Sequence, residues 1–396
     1  MREHLLDDYA HQLTRLKQQN NHRHLYPLLH QGKYVKLGND GALLLNLASN
    51  DYLGVTQDGL WQEEFVNHWQ GGGFGSASSR LLTGNFAIYE QLEWRLSQLF
   101  GKSCLLFNSG YHANVGVIEA ICDDKTVILA DKLVHASMID GIRLSQAKCV
   151  RYRHQDLSQL LRLVQKYQDD HTVRQIIIMT ESIFSMDGDR TDLQALVNIK
   201  QAHDKVVLYV DEAHAIGVYG EHGLGCADQL GVMAKIDILV GTFGKALGSV
   251  GAYVACHQLI KDFLINRART VIFSTALPPI NMAWTDFVLA KLPDLASRRH
   301  RVQQFAGRLQ AQIIDLGFDC PSSSQIVPMV LGSNNQALHA AQLLHNKGLF
   351  VLAVRPPTVP INQARLRFCL SASLDEQDMA YLTQSLQSLA KFDRHD

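Results

Sequence analysis

The sequence predicts an α/β fold in which a large domain holds a mainly parallel sheet between helices and a smaller α/β domain follows at the C-terminus. Two observations lead there. Short runs of β-branched and apolar residues, such as "TVILAD" and "RQIIIMTES", recur with helical stretches between them, and runs apolar on both faces belong to strands covered from both sides. The chain has 396 residues, enough for two domains with a sizeable core.

Taken in order, the opening "MREHLLDDYAHQLTRLKQQNNHRH" is polar with helical spacing and lacks the apolar centre of a signal peptide. Residues 1–50 are therefore expected to form a helical segment and entry strands, residues 51–285 the large domain and residues 286–396 the small one. Within "NFAIYEQLEWRLSQLFG", Ile88, Leu92, Leu96 and Leu99 fall on one helical stripe and Gly101 supplies the stop. The runs at 126–131, 174–182, 205–213, 235–242 and 250–256 read as buried strands. A helix-rich stretch then leads to "QIVPMVLG", "LFVLAVR" and "ARLRFCLS" as strands, and a last helix is expected to start at a capping box of Ser373 and Glu376.

Composition narrows the function. With 37 basic and 38 acidic residues, neither nucleic acid nor an anionic membrane is an implied partner, and any anion must be bound locally. No apolar run is long enough for a membrane span. Cys104, Cys122, Cys149, Cys226, Cys256, Cys320 and Cys369 are scattered without a C-x-x-C spacing, which reads as reduced thiols in a cytoplasmic protein rather than a metal site.

The chemistry concentrates in "YVDEAHAIG" and "GTFGKALG". Asp211 ends a buried strand with His214 three residues on, and strand ends are where open α/β sheets build ligand sites. Lys245 follows an apolar run and lies among Phe243, Gly244, Ala246 and Leu247, an unusual setting for a solvated amine. A carboxylate can hold a heterocyclic nitrogen protonated, a lysine can form a Schiff base, and Thr242 with neighbouring amides can receive a phosphate. Those are the needs of pyridoxal phosphate. Each residue also has an ordinary structural explanation: a helix cap, a structural histidine, a tight turn. A helicase reading of "DEAH" fails for want of a G-x-x-x-x-G-K-[ST] loop.

The segments "LASNDYLG", "GFGSASSRLLTGN", "NSGYHANVG", "DKLVHASMIDG", "TESIFSMDGD", "DEAHAIGVYGEHGLG", "GTFGKALG", "FSTALPP" and "AVRPPTVP" run in order nearly end to end. This series resembles the α-oxoamine synthases, fold-type I enzymes dependent on pyridoxal phosphate, and most of all their biotin-pathway branch. The resemblance implies that Lys245 is the Schiff-base lysine, that Asp211 pairs with the pyridine nitrogen and that His214 and Ser185 approach the phenolic oxygen. It also implies that His135 stacks on the ring, that Gly110 and Tyr111 offer backbone N–H groups to the phosphate beside Thr242, and that Arg23 meets the substrate. The implied reaction is a decarboxylative condensation of L-alanine with a pimeloyl thioester of coenzyme A or acyl carrier protein, in a homodimer whose sites "GGGFGS" and "FSTALPP" help complete. Arg355 in "RPPTVP" is expected to clamp a carboxylate, since a guanidinium offers two parallel donors on a proline-stiffened loop, and Thr358 to touch the acyl substrate. A sister synthase using glycine or serine is the enzymatic rival, and a non-catalytic relative the other. The chain departs from the pattern at Leu374, where relatives often carry histidine.

Overall fold

A computed structural model describes residues 3–69 and 71–389 of the chain. The ends of the expected N-terminal and C-terminal segments, residues 1–2 and 390–396, lie outside the described residues. The chain divides into two compact units, one of Met1–Tyr52, Met186–Asp189 and Arg301–Asp396, the other of Leu53–Ser185 and Arg190–His300. No helix among the described residues is long and apolar enough to cross a membrane.

The larger unit is built on a seven-stranded sheet. Its strands are β1 (Ser103–Phe107), β2 (Thr126–Asp131), β3 (Lys148–Tyr152), β4 (Gln175–Glu181), β5 (Val206–Asp211), β6 (Ile238–Thr242) and β7 (Ala252–Cys256), in the spatial order β1-β7-β6-β5-β4-β2-β3. Strands β2 to β6 pair in parallel, while β7 runs antiparallel to both β6 and β1. β1 and β3 are the edge strands and neither was among the expected ones: β1, "SCLLF", is a short apolar run buried at all but its first residue, whereas β3, "KCVRY", is not apolar and buries only Tyr152 fully. Val117, Ile118 and Met138, from helices Gly110–Ile121 and Ala136–Leu144, pack with Ile128, Ile177, Tyr209 and Val240 in one core. That burial removes enough apolar area to fix the helices against the sheet, at about 25 cal/mol per Å².

Helix Ala87–Phe100 ends at Gly101, whose φ of 62° is left-handed. Its buried stripe is Tyr89, Leu92, Glu93, Leu96 and Phe100, one position round from the expected Ile88 to Leu99 line. The shift brings in Glu93, which pairs with Arg80 at 2.7 Å and Lys261 at 2.7 Å; charge pairing makes a buried glutamate tolerable, and apolar spacing alone cannot anticipate it.

In the smaller unit, Leu28–Gln31, Tyr34–Leu37 and Leu43–Asn46 form an antiparallel meander, and Leu349–Phe350 joins Leu43–Asn46 in parallel. A second sheet contains Ile326–Gly332, Ala364–Cys369 and Leu352–Val354, all antiparallel. The run "LFVLAVR" is therefore two strands serving two sheets. The last helix, Glu376–Leu386, is capped by Asp375, which accepts from Gln377 and Asp378, and its box partner is Asp378. Ser373 instead donates to Ser371 Oγ at 3.0 Å. A carboxylate next to the positive end of the helix displaces the serine from the capping role. At Met186–Asp189 the chain turns through Gly188 at φ +71°, where a Cβ would lie 2.1 Å from the Ile326 carbonyl oxygen. Asp187 there pairs with Arg365 at 2.5 Å.

Candidate functional site

Within the larger unit, the carboxyl ends of β4, β5 and β6 deliver Glu181, Asp211 and Thr242. Glu181 and Asp211 are partners in the parallel register. Asp211 is 6% exposed, and both its oxygens accept hydrogen bonds: Oδ2 from Asn114 Nδ2 at 2.9 Å, Oδ1 from the Ala213 amide at 2.8 Å. Lys245 is half-buried between buried Phe243, Ala246 and Leu247, and its Nζ lies 2.9 Å from His214 Nε2. The expected pairing of an amine, a histidine and a strand-end carboxylate in one unit is thus present.

Thr242 sits where β6 ends, with Oγ1 donating to Gly251 O at 3.0 Å and accepting from the Gly244 amide at 3.3 Å. A Cβ on Gly110 would be 3.8 Å from Thr242 Cβ, so the start of helix Gly110–Ile121 stands beside it. Ser109 caps that helix by accepting from the His112 amide, which leaves the amides of Gly110 and Tyr111 at the first turn, the position suited to an anion. Ser185 is half-buried just beyond β4.

His135 caps helix Ala136–Leu144, and its Nδ1 accepts from the Ser137 amide. Its ring retains solvent-accessible area, yet crowding by protein atoms desolvates it and holds its pKa below the ordinary histidine value; the nearby Lys245 amine adds to this and Asp211 opposes it. Burial pushes the Glu181 carboxyl well above the usual range, and the charge of Asp211 pushes it further. Glu181 Oε1 has no hydrogen-bond partner among the described residues.

These features test the fit of pyridoxal phosphate. A flat pyridine ring needs a carboxylate at its nitrogen, an amine at its aldehyde, a polar neighbour at its phenolic oxygen and donors at its phosphate. Asp211, Lys245, His214 and the Gly110–Thr242 corner are donor and acceptor types of those four kinds, and the orphaned Glu181 oxygen marks a polar wall with capacity unused by protein. The residues fit the group.

In the smaller unit, Arg23, Arg355 and Thr358 come together. Arg23 Nη2 donates to Thr358 Oγ1 at 2.9 Å, and Arg355 donates to the carbonyl of Asn20 at 2.5 Å. Arg355 thus binds neutral carbonyls here, and desolvation together with the Arg23 charge lowers its pKa. Both arginines and Thr358 line a cavity of about 240 Å³ whose described lining contains no aspartate or glutamate. Arg367 lines it as well, and this residue was not foreseen. It neighbours Tyr52 and Cys369, with Nη1 3.2 Å from Asn50 Oδ1; desolvation would lower its pKa, but Cys369 and Tyr52 outweigh it and the net shift is upward. Its signal lay in "ARLRF", where arginines alternate with apolar residues in a strand. Asn114 was missed too; a lone amide among buried Ala113, Val117 and Ile118 was its mark. The expected "GGGFGS" and "FSTALPP" segments touch inside the larger unit, Ser76 Oγ donating to Ala276 O at 2.5 Å, and just past the first of them Ser79 bridges Thr275.

Comparison with known proteins adds the following. Residues 43–386 match the aminotransferase class I and II family. A Pasteurella multocida protein provisionally named 8-amino-7-oxononanoate synthase is 50% identical, over 97% of this chain and 99% of its own. A Haemophilus influenzae protein with the same provisional name is 48% identical, over 94% of this chain and 98% of its own. Among solved structures, 8-amino-7-oxononanoate synthase from Francisella tularensis superposes with a TM-score of 0.74 at 31% identity, over 88% of this chain and 97% of that one. A serine palmitoyltransferase variant from S. paucimobilis, with pyridoxal phosphate and myriocin bound, superposes at 0.88 with 25% identity over 96% of each chain.

Proposed function

The chain belongs to the class I and II aminotransferase family, among its pyridoxal-phosphate-dependent acyltransferases, and from that membership we propose that it joins L-alanine to a pimeloyl thioester. The products are 8-amino-7-oxononanoate, carbon dioxide and the free thiol, and the pathway served is biotin synthesis. The observation that carries this reading is the near-full-length similarity to relatives named for that reaction, in a chain that keeps Lys245, Asp211, His214 and His135 together.

When bound, pyridoxal phosphate supplies an aldehyde that captures the amino group and a ring that takes up electron density. The protein does the rest. Lys245, half-buried and next to His214, is the amine that would hold the aldehyde and would move the proton at the Cα of alanine. Asp211 holds a proton at the ring nitrogen, because a carboxylate fixed by two donors and shielded from water favours a cation opposite it. His214 and Ser185 would hold the phenolic oxygen, and Gly110, Tyr111 and Thr242 the phosphate. His135 would lie against the ring and help exclude water from it.

Two substrate carboxylates need partners, that of alanine and the distal one of the pimeloyl chain. Arg355 orients the first in this reading, with Arg23 and Thr358 serving the acyl substrate; the acyl carrier is coenzyme A or acyl carrier protein. The active form is a homodimer in the cytoplasm. Mass spectrometry of the product formed from alanine and pimeloyl-CoA tests the proposal: the expected mass is that of 8-amino-7-oxononanoate. Turnover only with glycine or serine, or with a different acyl thioester, would overturn it.

A further inference from the structure

One hydrogen-bond chain in the larger unit ties Asp211 to His135 through two side chains that have no assigned role. Tyr209 OH donates to Asn114 Oδ1 at 2.7 Å. Asn114 Nδ2 spends its two hydrogens on Asp211 Oδ2 and Ser137 Oγ, both at 2.9 Å. Ser137 Oγ lies 2.7 Å from His135 Nδ1, and the Ser137 amide donates to that same nitrogen at 3.2 Å.

The proton positions along this chain follow from valence. A backbone N–H can only donate, so His135 Nδ1 is an acceptor and carries no proton. The Ser137 hydroxyl, already accepting from Asn114, turns its hydrogen to Nδ1. Asn114 cannot be flipped, since its Oδ1 would then face the oxygens of Asp211 and its amide the Tyr209 hydroxyl, whose buried proton is firmly held. The ring is left with its one proton on Nε2. The main chain of His135 is held as well, by a hydrogen bond from its backbone N–H to Glu181, the neighbour of Asp211 in the strand register.

We infer that Asn114 and Ser137 are positioning residues that fix His135 as the neutral tautomer protonated at Nε2 and lock its ring to the Asp211 carboxylate. The site thereby receives a directed N–H donor at His135, suited to an oxygen of the substrate. Protonating Nδ1 would set two N–H groups against each other, so the arrangement resists the imidazolium form. Because the inference rests on the cofactor class and not on alanine or pimeloyl recognition, it stands or falls apart from the substrate assignment.

The test uses [15N]histidine-labelled holoenzyme, with His135→Gln identifying the signal. Wild type should show Nδ1 as a bare acceptor and Nε2 as protonated, with no titration across the range of ordinary histidines. Asn114→Leu and Ser137→Ala should each mix the tautomers. In Asn114→Leu, the pH dependence of the bound cofactor's visible absorbance should also shift, since Asp211 loses a donor. Losing one such contact should lower kcat about tenfold to a hundredfold while KM for the amino acid moves far less, and Ser137→Thr, which restores the hydroxyl, should recover most of the loss. Should Asn114→Leu fail to fold, Ser137→Ala still reads out the tautomer. A protonated Nδ1 in wild type overturns the inference, and so do folded variants whose histidine signals are unchanged.

Discussion

The strand-end cluster of the larger unit and the arginine-lined cavity of the smaller one solve opposite electrostatic problems. Around Asp211, charges and dipoles are matched in advance: each carboxylate oxygen has a donor, Lys245 has His214, and Ser137 and Asn114 use every hydrogen they own. Around Arg355, like charges face one another across a cavity with no acidic residue among its described lining, and the available acceptors are carbonyls, a hydroxyl, an amide and a thiol. The first arrangement is charge-balanced around Asp211 and keeps the Glu181 oxygen and the first-turn amides for the cofactor, while the second awaits an anion. A preorganised cluster lowers barriers at little reorganisation cost, whereas a frustrated one stores unfavourable energy that a carboxylate releases on binding.

The contrast can be broken most directly at Lys245. Lys245→Ala should reduce turnover by about a thousandfold or more, within the range of a lost acid–base group, with Tm nearly unchanged. Borohydride reduction of wild type should place the cofactor's mass on the peptide carrying Lys245; a labelled peptide elsewhere would break the assignment of the strand-end cluster as the reactive one. Asp211→Asn comes next. It keeps the shape but removes the charge opposite the ring nitrogen, and kcat should fall on the order of a hundredfold to a thousandfold, as followed in steady-state assays with cofactor saturation checked by absorbance.

At the cavity the sign of the stability change differs, which sharpens the comparison. Arg355→Lys should bind alanine about tenfold to a hundredfold more weakly, because lysine loses the planar fork. Pimeloyl-CoA should be less affected. Arg367→Lys, measured in parallel, decides which arginine serves which carboxylate: whichever variant loses alanine without losing the acyl substrate marks the amino-acid clamp. Arg355→Gln should meanwhile raise the stability of the ligand-free protein by up to about 1 kcal/mol, a small figure because solvent screens a half-exposed charge. A fall in Tm would mean the arginines are structural and the cavity is not strained.

The smallest effect is expected at Lys33, which holds Asp375 and Asp378 at 2.6 Å each. The lysine hydrogen bond lowers Asp375 to about 2, below its ordinary value of 3.8. A carboxyl with a depressed folded pKa contributes stability above its unfolded pKa and loses it as pH falls through the folded one. Wild type should therefore lose this contribution between about pH 4 and pH 2, and Lys33→Met should flatten that part of the urea-denaturation profile by slightly lowering stability at pH 7 while leaving it nearly unchanged at about pH 2.

Much of this was legible in the sequence, and unevenly. The strands at 126–131 and 206–211 are apolar on both faces, so periodicity found them, and Asp211 and Lys245 stood out as polar groups at the ends of such runs. Strand β3 was hidden because an edge strand need not be apolar. Glu93 and Arg367 were hidden because long-range partners make them tolerable, and the partners lie far off in sequence. The Asn114–Ser137 link joins two helices and a strand, and no spacing rule expresses it.

The pairing of Leu43–Asn46 with Leu349–Phe350 has a consequence for biosynthesis. A ribosome delivers the N-terminal meander first, yet its fourth strand emerges only after the whole larger unit has been translated. The early strands must wait with an open edge while the intervening chain collapses on its own sheet, and exposed edges invite pairing with other nascent chains. The waiting edge is the short strand Leu43–Asn46, and the opposite edge, Leu28–Gln31, is mostly exposed and carries His30 and Gln31; short and polar edges are the kind of features that keep such a half-built sheet from joining its neighbours on a polysome.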